Sequence, residues 1–161
     1  MAVMKGDRRI HLCAALILLN LLFIWGNSLL PGEISGRFSH WVGSVLRLIF
    51  PGAEETGQSH HLLRKLAHLT EFACLGFLLG RMFLLLEYRK GATFALSLFF
   101  GAAAAGTDEM IQLFIPGRAG SPVDAMIDTF GVFLGVGILL LWKINGRKIK
   151  NFLFKNRRKT P

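Results

Sequence analysis

Four apolar runs, at 10–30, 62–86, 92–115 and 123–142, dominate this chain. As helices, each is long enough to cross roughly 30 Å of bilayer hydrocarbon. In lipid every backbone N–H and C=O must be satisfied internally, so such runs fold as helices and associate as a bundle. The expected fold class is therefore all-α: one integral membrane four-helix bundle, with a basic tail at 143–161. The composition fits, with 52% hydrophobic and only 18% charged residues. The net charge of +9 does not indicate nucleic acid, because Lys and Arg gather at the two ends and beside the apolar runs. That is the pattern of membrane topology rather than of a groove tracking phosphates.

The first run reads as a retained span. It is long, no small-x-small cleavage site follows it, and Cys13 precedes the run instead of following it as a lipoprotein cysteine would. The second carries charged residues at its start and Arg81 near its end, where the guanidinium can snorkel to the interface. The third has the almost bulkless centre "GAAAAG" and stops at Pro116-Gly117, while the fourth carries Gly131, Gly135 and Gly137. Small residues of this kind let membrane helices approach closely. Cys13 and Cys74 lie at different depths, and no disulfide is expected. Trp25, Trp41, Trp142 and Tyr88 are expected as interfacial aromatics.

Orientation follows from the basic residues. Lys5, Arg8 and Arg9 precede the first span, Arg89 and Lys90 separate the second from the third, and Arg147, Lys148, Lys150, Lys155, Arg157, Arg158 and Lys159 follow the fourth. Both termini and the turn at 87–91 are thus expected in the cytoplasm. Between the first two spans, "RFSHWVGSVLRLIF" sets Phe38, Trp41, Val42, Val45, Leu46 and Ile49 on one helical face. It is too short to span and reads as an interfacial amphipathic helix. In the tail, Ile149, Phe152, Leu153 and Phe154 alternate with Lys and Arg, which suits anionic lipid headgroups.

The ionisable residues inside the spans fall in three groups. Arg64, Lys65, His68 and Glu71 begin the second, Asp108, Glu109 and Gln112 end the third just before Arg118, and Asp124 and Asp128 begin the fourth. With this topology all three groups lie in the outer half of the membrane. At about 1.5 Å per residue, His68 and Glu71 sit roughly 9–14 Å below the start of their helix, with Asp108 and Asp128 at similar depths. Arg64, His68 and Glu71 share one stripe at i, i+4 and i+7, while Asp108 with Gln112 and Asp124 with Asp128 are i, i+4 pairs. Charges this deep are costly unless paired or wet, so the three stripes are expected to face one another.

These motifs, "RKLAHLTEF", "DEMIQLFIPGR" and "SPVDAMIDTFGVFLG", in that order on consecutive helices, resemble the VanZ-like membrane proteins of bacteria. "NSLLPGEISGRFS" is similar to that family's opening loop. The resemblance implies a multi-pass bacterial plasma-membrane protein associated with tolerance of glycopeptides such as teicoplanin. One departure is Asp128, where the family pattern more often has Asn; it adds a negative charge.

Several chemistries fit the cluster. His68, Glu71, Asp108 and Glu109 are candidates for acid–base catalysis, since His titrates near neutral pH and carboxylates orient it. Arg64, Lys65, Gln112, Arg118, Asp124 and Asp128 are candidates for binding an anionic substrate, with Arg118 offering a bidentate fork and "PGRAGSP" a helix N-terminus. The competing structural account is an ion-pair network joining three helices, with Ser121, Pro122 and Asp124 serving as a capping box. A metal held by His68, Glu71, Asp108, Glu109 and Asp128 is the less favoured reading, because Arg64, Lys65 and Arg118 bring positive charge to the same region; no metal and no cofactor is expected. A proton-coupled transporter ranks last, since only Asn20 and Arg81 lie in the inner half. The expected partners are membrane lipids and a lipid-linked cell-wall intermediate or amphiphilic antibiotic.

Overall fold

A computed structural model of the protein describes residues 2–34 and 57–157, with side chains over 8–34 and 62–144. The expected interfacial helix, the side chains of His60 and His61, and the apolar–basic face of the tail lie outside the described residues. Four long helices account for nearly all the rest: α1 (Ala2–Ser28), α2 (Gly57–Leu85), α3 (Lys90–Leu113) and α4 (Pro122–Arg157). Their segments long and apolar enough to cross a membrane are Arg8–Ser28, Leu62–Leu85, Lys90–Leu113 and Pro122–Ile144, within two residues of the sequence expectation. The fold is an all-α membrane helical bundle. At its C-terminal end α4 does not stop at the membrane edge near 142 but runs on to Arg157.

The surface is apolar and the interior holds the polar residues, the reverse of a soluble protein. Leu18, Leu19, Leu22, Phe23, Phe99, Met126, Phe130 and Leu141 are exposed, while Asp108, Glu109, Gln112 and Asp128 are buried. A small apolar core of Ile24, Phe72, Leu75, Ala104, Ala105 and Val132 joins all four helices. The Trp25 indole, expected at an interface, turns inward and donates to the Ala104 carbonyl at 3.4 Å.

The tightest packing joins α2 to α4. A Cβ at Gly131 would meet the Leu69 carbonyl, and one at Gly135 would meet the Ala73 carbonyl one turn further on. Only glycine permits backbones this close. Gly101 of α3 similarly receives the Val132 side chain, whereas Gly106 and Gly137 face open space. The small-residue faces read from sequence thus divide: part makes contact and part does not.

The chain ends are fixed locally. α2 closes through Tyr88 N–H on the Phe83 carbonyl and Glu87 N–H on the Leu84 carbonyl, with Glu87 left-handed at φ 64. That is a Schellman ending in which Glu occupies the place usually given to Gly. After α3, Gly117 adopts φ 73 to turn the chain, and the Gly32 N–H after α1 donates to the Pro116 carbonyl at 3.2 Å. The loops following α1 and α3 are thereby joined.

Candidate functional site

The three stripes do converge. A narrow cleft of about 20 Å³ between α2, α3 and α4 is lined by Arg64, Lys65, His68, Glu109, Gln112, Asp124, Ile127 and Asp128. Asp108 lies directly behind it, fully buried, with Oδ2 4.0 Å from His68 Nδ1. Gln112, one turn along α3, donates from Nε2 to Asp108 Oδ2 at 2.8 Å. The i, i+4 spacing read from sequence therefore becomes a direct bond.

The capping box takes a different form from the one expected. Ser121 is the N-cap, its carbonyl accepting from Asp124 and Ala125 N–H, and Pro122 opens α4. The Ser121 N–H, however, donates to Glu109 Oε2 at 2.6 Å instead of to Asp124. Glu109 reaches across from α3 and closes the start of α4, a role with no local sequence signal. Asp124 is left to face Lys65, whose Nζ lies 2.9 Å from its Oδ1 without hydrogen-bond alignment. Both groups are partly exposed, so this contact adds little stability by itself.

Arg118 is occupied. Its Nε donates to the Leu30 carbonyl at 2.9 Å and a terminal nitrogen to the Asn27 carbonyl at 2.7 Å. The last carbonyls of α1 lack intrahelical partners and carry the negative end of the helix dipole, which draws a guanidinium to them. Burial, and then the neighbouring Arg64, push the Arg118 guanidinium below its ordinary value, in the direction of a crowded and partly dry position. Its fork is spent on helix packing, and only its remaining terminal nitrogen is without a partner.

Glu71 is turned toward α1. Asn27 Nδ2 donates to its Oε1 at 3.3 Å, while Oε2 is buried without a partner. The same residue closes one end of an apolar groove between α1 and α2 that runs past Phe23, Leu66, Thr70 and Cys74. Ser28 accepts a second bond from Gln112 Nε2 at 3.3 Å. Helix α1, read from sequence as a retained span, supplies Asn27 and Ser28 to the site, and it offers Arg118 the Asn27 carbonyl, with the Leu30 carbonyl just beyond its end. The available signal was the polar pair "NS" at the end of an otherwise apolar run.

Cys13 is buried and donates to the Leu78 carbonyl, and Cys74 is exposed; both are free thiols. His68, Asp108 and Asp128, from three different helices, each bring a ligand-type atom within 4.8 Å of the other two. A family model described as VanZ/LLP1 matches residues 11–143. No curated protein and no solved structure shows a significant match.

Proposed function

The chain belongs to the VanZ/LLP1 family, and from that premise we propose that this multi-pass membrane protein binds an anionic envelope component in the cleft between α2, α3 and α4. It sits in the bacterial plasma membrane with both termini in the cytoplasm, and the cleft opens to the outer leaflet. The ligand class is a lipid-linked cell-wall intermediate or an amphiphile of similar charge, and the physiological outcome is altered tolerance of glycopeptides such as teicoplanin. The observation that carries the reading is the cleft itself. Arg64 and Lys65 stand at one side of it, and Lys65 is held by no more than a half-exposed contact that an incoming anion can displace. The envelope target follows from the family and from the side of the membrane that the basic residues imply.

The test is binding of a polyprenyl phosphate to the protein in neutral-lipid nanodiscs, read by native mass spectrometry. Arg64→Glu is expected to weaken it by about tenfold or more, the size of one charge-assisted contact. Equal binding of the uncharged polyprenol would contradict the reading.

A second reading, modification of such a lipid by acid–base chemistry, is favoured by His68 Nδ1 and Glu71 Oε2, which are both buried and unpartnered. Orphaned polar atoms of this kind are expensive unless a ligand or water completes them. The two readings separate on isosteric changes. Glu71→Gln abolishes an enzyme that still inserts normally, whereas a binding protein loses affinity gradually and suffers most from reversal of Arg64.

A further inference from the structure

We propose that His68, Asp108 and Asp128 form a binding site for one divalent first-row transition-metal ion at the inner wall of the cleft. The three residues come from α2, α3 and α4, and one ligand-type atom of each lies within 4.8 Å of the other two. Donor atoms on a common ion at about 2.1 Å stand roughly 3.0–3.4 Å apart, so adjustments of about 1 Å in side-chain position close the set. One imidazole nitrogen with two carboxylates is a mixed donor set suited to zinc or manganese.

A second observation points to a ligand. Asp108 has no solvent exposure, and its Oδ1 has no hydrogen-bond partner. His68 Nδ1, 4.0 Å from the other oxygen of Asp108, is also without one. Asp128 is 2% exposed and brings a second carboxylate to the same place. Two carboxylates this dry need a counter-charge. Among the described residues the one basic group within 4.0 Å of Asp108 is the His68 imidazole, itself one of the three; Lys65 faces Asp124, and Arg118 bonds carbonyls at the end of α1. A divalent ion supplies the missing charge and the missing partners together.

The surroundings have the form of an outer coordination shell. Gln112 fixes Asp108 through Oδ2 and is itself held by Ser28. Such partners orient metal-binding carboxylates and tune their affinity. His68 and Asp128 also line the cleft, so the ion would face it with coordination positions left for water or for an oxyanion, beside Arg64 and Lys65. The sequence reading set a metal aside because Arg64, Lys65 and Arg118 lie nearby; in the structure Lys65 is engaged with Asp124, and Arg118 with carbonyls at the end of α1.

The experiment uses the full-length, tag-free protein in detergent, stripped with a chelator and then titrated separately with Zn²⁺, Mn²⁺ and Mg²⁺. One equivalent of Zn²⁺ or Mn²⁺ per chain is expected to survive gel filtration. His68→Gln and Asp128→Asn are each expected to weaken binding by about a hundredfold and Gln112→Ala by about tenfold, while the distant Glu87→Gln leaves it unchanged. Should a ligand variant fail to fold, the Co²⁺-loaded wild type is read for a hyperfine-shifted imidazole N–H. Absence of a retained equivalent for all three ions, unchanged stoichiometry in both ligand variants, or a Co²⁺ form lacking a coordinated imidazole overturns the proposal. Because no lipid is used, headgroup binding stands or falls separately.

Discussion

At the scale of single residues, the organising fact is that partners were chosen across helices more often than along them. Glu109 accepts from the N-cap Ser121, twelve positions later, and Arg118 donates to the Leu30 carbonyl, eighty-eight positions before it. Arg118→Ala removes two charge-assisted bonds from the end of α1 and is expected to cost about 1.5–3 kcal/mol, seen as a lower melting temperature in detergent. Arg118→Lys should recover only part of that, because an ammonium cannot reproduce the planar fork that bridges two carbonyls. An unchanged melting temperature in Arg118→Ala would show that α1 is held by its apolar contacts alone. Spacing along the sequence found the pairs that lie on one helix, such as Asp108 with Gln112. It marked Asn27 and Ser28 only as a polar pair closing an apolar run, since nothing local distinguishes a polar helix end in water from one that bonds Glu71 and Gln112.

At the scale of elements, hydropathy and length located all four spans because the bilayer imposes both. Packing partners were less legible. Glycine density marked two stretches as candidate contacts, but only the structure separates Gly131 and Gly135, which lie against α2, from Gly137, which does not. Gly135→Ala is therefore expected to force α2 and α4 apart at a cost of roughly 1–3 kcal/mol, with loss of monodisperse protein on gel filtration. Gly137→Ala should be neutral to within about 0.5 kcal/mol. Equal tolerance of the two changes would remove the close α2–α4 approach as the feature that sets the width of the cleft. The continuation of α4 to Arg157 escaped the sequence reading for a different reason: hydropathy marks where lipid ends, not where a helix does.

At the scale of the whole molecule, the distribution of polarity gives the protein its character. Apolar side chains cover the outside of the spans, and the charged residues are drawn to one place where α2, α3 and α4 meet, closed from one side by α1. A bundle needing only adhesion has its glycine faces and its apolar core for that purpose. Concentrating His68, Asp108, Glu109 and Asp128 in a single cleft costs stability and makes sense as the means of holding a ligand. On the proposed topology that cleft faces outward, and water must reach it. Ile127 lines the cleft beside Asp128 without itself carrying a charge, which makes it the position from which to ask. With Cys13 and Cys74 replaced by Ser, an Ile127→Cys variant in intact cells is exposed to a membrane-impermeant maleimide. Labelling from the outside, slowed by an added anionic lipid headgroup, is the predicted result; labelling only after the cytoplasmic face is opened, or none in either case, would contradict the account.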